Sequence, residues 1–340
     1  MIIALAFLPV CIFLSSLLYL DSYKLVHLRT LLKVIVSGSA VAVISYFLNN
    51  RIFQSTSIDH AFLVRFVTPL LEEFLKALPV LFLLRTRRIG FLVDAAIFGF
   101  AAGAGFALVE NLYYMLALNE GSLGLWVVRG FGTAVMHGGC TAILAMTAKV
   151  MMERRESEAF WLMLPGLAIA FSVHSLFNQF VLSPMMSAVV IILALPPLLM
   201  IVFSQSERFL QSWLGTGFDI DSELLAAIHS DEFDLSRPGH YLQSLREHFG
   251  GPVLADMLCF LRLHAELSLR AKGILMMRES GFPVVYDEEV SEKLTELRFL
   301  KQSIGKTGEL ALAPILHRSA HDLWQLRMLE RTVAGGQSAA

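Results

Sequence analysis

The sequence predicts an all-α membrane protein: a polytopic bundle of about seven transmembrane helices, followed by a helical cytoplasmic domain. Three observations lead there. The 340 residues are 56% hydrophobic and 16% charged, and the mean hydropathy is +0.63, far above that of a soluble domain. Apolar runs long enough to cross a hydrocarbon core of about 30 Å fall at about 2–20, 31–49, 61–84, 91–118, 125–149, 160–182 and 185–205. From Glu207 onward charge returns, with 14 Lys or Arg against 19 Asp or Glu.

The first run opens MIIALAFLPV, with neither a basic n-region nor a small-residue cleavage site, so it is expected to remain as the first span. Lys24, Arg29 and Lys33 flank the first connection, Arg85, Arg87 and Arg88 the third, and Lys149, Arg154 and Arg155 the fifth. Basic residues collect on the cytoplasmic side. The expected topology therefore has the N-terminus outside and everything after the seventh helix inside. Tyr113, Tyr114 and Trp126 would border the outer face and Trp161 the inner one, where amphipathic rings prefer to sit.

Composition divides the chain into a membrane part, 1–206, a cytoplasmic helical domain, 207–333, and a disordered tail, 334–340. In the second part helical periodicity is clearest over Val253 to Gly273 and Asp287 to Ile304. Pro238, Gly250-Gly251-Pro252 and Gly281-Phe282-Pro283 punctuate it. No catalytic constellation stands out there, so a regulatory or docking role is expected. The net charge of −2, without a block of Lys and Arg, excludes nucleic acid as a partner. Cys11, Cys140 and Cys259 lack CxxC or CxxH spacing and are expected to be buried thiols.

The third run carries LLEEFLKALPV, with Glu72, Glu73 and Lys76 in its middle. A charge at the centre of a membrane helix costs about 2.5–3.5 kcal/mol on insertion scales, so three need partners or a water-filled cavity. The next three runs supply them: Glu110 and Asn111, then His137, then His174 and Asn178. At about 1.5 Å of rise per residue, Glu72, Glu110, His137 and His174 lie roughly 12–18 Å below their outer helix ends, one layer in the outer half of the membrane. Glu72 and Lys76 are an i,i+4 pair on one stripe with Arg65 and Thr68. Ala95, Gly99 and Gly103 form a small-residue seam that continues to Glu110 and aims it into protein. Pro69 removes a backbone hydrogen bond just before the glutamate pair and frees a carbonyl near the site. Asp94, at the inner end of its run, is expected to snorkel or pair with the Arg85 to Arg88 cluster.

A buried carboxylate is a stronger base than a solvated one. A Glu activating water, with His and Asn donors on a tetrahedral oxyanion, suffices for peptide hydrolysis. A His2Glu set can instead hold a divalent metal such as zinc with an open position; Glu110, His137 and His174 would be its ligands, although no HExxH is present. The same groups would also serve a proton-coupled transporter or channel, or a non-catalytic scaffold in which Lys76 only ties helices together.

Four motifs together resemble the PrsW intramembrane proteases, of the superfamily of type II CAAX prenyl endopeptidases and bacteriocin-processing enzymes. Glu72-Glu73-Phe74-Leu75-Lys76 matches EExxK, Phe106 to Glu110 matches FxxxE, His137 is the isolated third-motif histidine, and His174 to Asn178 matches HxxxN. The resemblance covers about Ala61 to Leu182. It implies that Glu72, alone or with Glu73, activates water, that Glu110 orients it, and that His174 and Asn178 support the oxyanion. Glutamate-activated water is favoured over metal. The resemblance also implies a bacterial cytoplasmic membrane and site-1 cleavage of a membrane-spanning anti-sigma factor in a stress response. Oligomeric state stays open, and the large domain after Glu207 departs from the minimal family plan.

Overall fold

A computed structural model describes residues 1–118, 121–155, 157–179, 181–283, 288–316 and 320–337. The described residues are helical, with no strand among them. The chain divides into two compact units, Met1–Glu207 and Arg208–Ala340.

Six helical stretches are long and apolar enough to cross a membrane: Ile2–Tyr19, Leu28–Ser55, Leu92–Ala117, Leu123–Arg154, Phe160–Asn178 and Pro184–His229. The remaining expected span begins as His60–Phe62, passes through a π-helical turn, Leu63–Val67, and continues as Thr68–Arg85. These are α1 (Ile2–Tyr19), α2 (Leu28–Ser55), α3 (Thr68–Arg85), α4 (Leu92–Ala117), α5 (Ala134–Arg154), α6 (Leu164–Asn178) and α7 (Pro184–His229). α5 also follows a π turn, Val128–Thr133. α7 runs past the expected end at 205 to His229, with Pro196 and Pro197 inside it. The division between the two units falls within this helix.

Backbone approaches at glycine place α4 between α2 and α5. A Cβ on Gly103 would stand 2.2 Å from the His137 carbonyl oxygen of α5, and one on Gly105 2.1 Å from that of Ile35 in α2. A Cβ on Gly38 of α2 would meet the Ala102 carbonyl oxygen at 2.0 Å. Without a hydrophobic drive between helices in lipid, such small-residue contacts are what hold them together. Gly103→Ala therefore pushes α5, and His137 with it, away from α4. The expected cost is about 1–3 kcal/mol, read as a lower unfolding midpoint in detergent; Gly273→Ala, with nothing within 4 Å, should leave the midpoint unchanged or raise it.

Pro69 acts as its chemistry requires. It cannot donate to Arg65 O, the acceptor four residues back. That oxygen instead accepts from Ser175 Oγ of α6 at 2.6 Å, and its neighbour Val64 O accepts from Asn178 Nδ2 at 3.3 Å. The π turn and the proline together dock α6 onto the start of α3. Asp94 does not pair with the arginine cluster: its Oδ2 accepts from the Gly90 and Phe91 amides at 2.8 and 3.3 Å and caps α4, because four orphan N–H groups open every helix. Among the cysteines Cys140 is buried, whereas Cys11 and Cys259 are exposed; Cys11 lies on a span, where an apolar helix face meets lipid as often as core.

The second unit contains α8 (Gly251–Glu279), α9 (Glu288–Ala311) and α10 (Ala320–Gln337). Gly305, at φ 64°, breaks α9 with a backbone that only glycine adopts readily. Lys272 is buried and satisfied, with Nζ 2.6 Å from Asp221 Oδ2 and 2.8 Å from Ser268 Oγ, and 5.2 Å from the Trp213 ring centroid. α10 reaches Gln337, so residues 334–337 of the expected tail lie in a helix; 338–340, and Asp287 at the expected start of α9, lie outside the described residues.

Candidate active site

Five elements deliver polar side chains to one place in the first unit. Lys76 Nζ lies 2.6 Å from Glu73 Oε1 and 3.0 Å from His137 Nδ1. Lys76 and Glu73 are fully buried, and burying two charges is tolerable only at such contact. His174 Nδ1 meets the same Glu73 oxygen at 2.8 Å, which turns its Nε2 towards Glu72 Oε2, 3.9 Å away. His137 Nε2 faces Glu110 Oε2 at 3.0 Å. An ammonium has no lone pair, so His137 Nδ1 accepts from Lys76; the ring proton then sits on Nε2 and is donated to Glu110. The two imidazoles pack edge to face with centroids 4.8 Å apart.

Glu72, Glu110, His137, His174 and Asn178 line a cavity of about 940 Å³. Much of its remaining wall is apolar and aromatic, as binding sites generally are, with a few convergent polar groups. The family profile of the PrsW intramembrane metalloproteases matches residues 25–204. The chain belongs to this family. No curated protein and no solved structure matches it.

In this PrsW chain the residues singled out from the motifs converge, with two qualifications. Asn178 lines the cavity but spends one donor on Val64 O. Asn111 faces away from the imidazoles, donating to Ala6 O of α1 at 2.8 Å and accepting from Arg129 Nε at 3.0 Å. Two further contributors escape sequence reading. Asn49 of α2 stands 3.4 Å from Glu72 Oε1; it fell at the end of an apolar run and read as a span boundary. Arg129, whose Nη2 is 3.4 Å from Glu110 Oε2, lies just inside the fifth run, where the sequence offered it no partner, and it is only 8% exposed.

The family description implies a metal, and a His2Glu donor set is present, which His137 can join only if its ring proton moves from Nε2 to Nδ1 and Lys76 releases that nitrogen. One ligand atom each from Glu72, His137 and His174 lie within 4.8 Å of one another. The Glu73 carboxylate on His174 Nδ1 is the outer partner that orients a metal-binding histidine. Glu72, rather than the expected Glu110, completes the triangle; Glu110 Oε2 lies between His137 Nε2 and Arg129 Nη2.

Proposed function

We propose that this intramembrane protease hydrolyses a peptide bond of a membrane-spanning protein at the Glu72, His137 and His174 centre. The observation that carries this is the pairing of Glu72 Oε2 with His174 Nε2 across 3.9 Å, too long for a direct hydrogen bond, on the wall of a cavity large enough for an unwound peptide segment. Both atoms are left to serve a third group. Glu72 takes a proton as water adds to the scissile carbonyl carbon, the second donor of Asn178 faces the oxyanion, and the proton passes from Glu72 to the leaving amine as the C–N bond breaks. Lys76 and Glu73 keep His174 and His137 in place without touching substrate.

A divalent ion held by Glu72, His137 and His174 would supply Lewis-acid polarisation and lower the pKa of water. The donor triangle and the family description favour that reading. The contact of Lys76 with His137 Nδ1 favours the metal-free one, since it leaves His137 Nε2 protonated and without a lone pair for an ion. Dialysis of the purified protein against a chelator decides: with a resident ion, cleavage is lost and zinc restores it, and metal analysis gives about one ion per chain. Full activity in metal-free protein assigns the proton transfer to Glu72 alone.

The arginine and lysine pattern supports an N-terminus outside and a cytoplasmic region after residue 206; the shared depth of the polar groups supports a cut in the outer half of the membrane, and the resemblance alone supports a bacterial cytoplasmic membrane. A membrane-spanning anti-sigma factor is the proposed substrate, on the resemblance alone. The test compares membrane proteomes of cells carrying the wild type or Glu72→Gln under envelope stress. A protein shortened near its outer membrane face only with wild type supports the reading and supplies the substrate. Identical proteomes with both chains folded overturn it in favour of a transporter or scaffold.

A further inference from the structure

A guanidinium buried in the outer half of a membrane span needs a reason, and Arg129 has three contacts that supply one. Its Nε donates to Asn111 Oδ1 at 3.0 Å, its Nη2 pairs with Glu110 Oε2 at 3.4 Å, and its Cζ lies 3.8 Å over the Tyr114 ring. The π turn Val128–Thr133 carries it, and that turn is held from behind. A Cβ on Gly130 would stand 1.8 Å from Leu5 O of α1, while Asn111 itself donates to the next α1 carbonyl, that of Ala6. Arg129 is thus fixed in direction by α1 and α4, and what it is fixed towards is Glu110 Oε2, the oxygen that faces His137 Nε2.

We propose that Arg129 is a positioning residue for the reaction: through Glu110 it sets the orientation of His137 in the reacting centre. The inference rests on the proteolytic reading. A lysine could neutralise Glu110 but not hold Asn111 as well, because the guanidinium carries the Nε donor to Asn111 and the charge beside Glu110 on one rigid plane. The arginine therefore acts by geometry as well as charge, and its effect passes through Glu110 alone.

The test uses the substrate found by the proteome comparison, with the full chain in proteoliposomes, and reads kcat and KM for the wild type, Arg129→Ala, Arg129→Lys, Glu110→Gln and Arg129→Ala/Glu110→Gln. Arg129→Ala is expected to lower kcat about 10- to 100-fold, the usual effect of an outer partner, with KM within about twofold; Arg129→Lys recovers part of the loss. In the Glu110→Gln background the same change should cost nothing further, since coupled residues are non-additive. An equal loss in both backgrounds, or a KM effect with kcat retained, overturns the proposal. Infrared difference spectra need no substrate and so separate this inference from the proteolytic reading. The carboxylate band assigned by its loss in Glu110→Gln should move in Arg129→Ala and less in Arg129→Lys; a band unmoved in both overturns it. A variant whose detergent-unfolding midpoint collapses is replaced by Arg129→Gln, which is shorter and uncharged but keeps an N–H donor.

Discussion

Glu72→Gln is expected to reduce turnover at least about 10³-fold while leaving the fold intact. Positioned proton transfer contributes about 10²–10⁴-fold, and the amide keeps the shape of the carboxyl while losing its basicity and most of its value as a ligand. Glu72 is the suitable member of the pair because its contacts are loose: Asn49 at 3.4 Å and His174 at 3.9 Å leave its oxygens free for reacting atoms. Glu73 is the opposite. It is fully buried, and its Oε1 takes both Lys76 and His174 at 2.6 and 2.8 Å. Glu73→Gln should therefore lower the unfolding midpoint in detergent, which Glu72→Gln should not. Wild-type turnover by Glu72→Gln on a validated substrate would remove Glu72 from the chemistry.

Lys76→Met is the largest expected loss of stability. Removing one partner of a buried ion pair costs about 3–5 kcal/mol because the other charge stays in a low-dielectric site. Glu73 would keep only His174 on Oε1, and its Oε2 has no hydrogen-bond partner among the described residues. His137 Nδ1 would lose its donor at the same time, freeing the ring to turn away from Glu110. Removing both charges, as in Lys76→Met/Glu73→Gln, should recover much of the loss. Unfolding in mixed micelles, followed by Trp fluorescence, reads both. A single mutant as stable as wild type would show that the pair carries no net burden in the fold.

These two outcomes distinguish the proteolytic reading from its rivals. A scaffold tolerates Glu72→Gln and fails with Lys76→Met, whereas a protease fails with both and for different reasons. A transporter built on the same acids would lose flux with Glu72→Gln and change no protein's length.

Local chemistry accounts for much of the agreement between residues and fold. Hydropathy located the spans because unpaired backbone groups cannot be left in hydrocarbon, and only helices satisfy them within one segment. The cost of charge in that medium pointed to Glu72, Glu73 and Lys76, and the shared depth of Glu110, His137 and His174 pointed to their company. Pro69 named the freed carbonyl region, since a missing N–H is a property of the residue itself.

What depended on the relative rotation and approach of helices was not readable in one dimension. Whether Glu73 or Glu72 takes Lys76 is a difference of one residue, or about 100° around a helix, and helix ends are known less well than that. Which carboxylate joins the two histidines turns on the Gly103 contact that seats α5 on α4 and on Glu110 standing between His137 and Arg129. Asn49 and Arg129 come from α2 and from a π turn whose neighbours are distant in sequence. The sequence alone therefore determined the bundle and the chemical inventory of its site, because both rest on what a residue costs in hydrocarbon, while its four motifs pointed to the family. Only the tertiary structure decided which groups share a proton, an ion or a partner, because those choices turn on contacts of about 3 Å between helices.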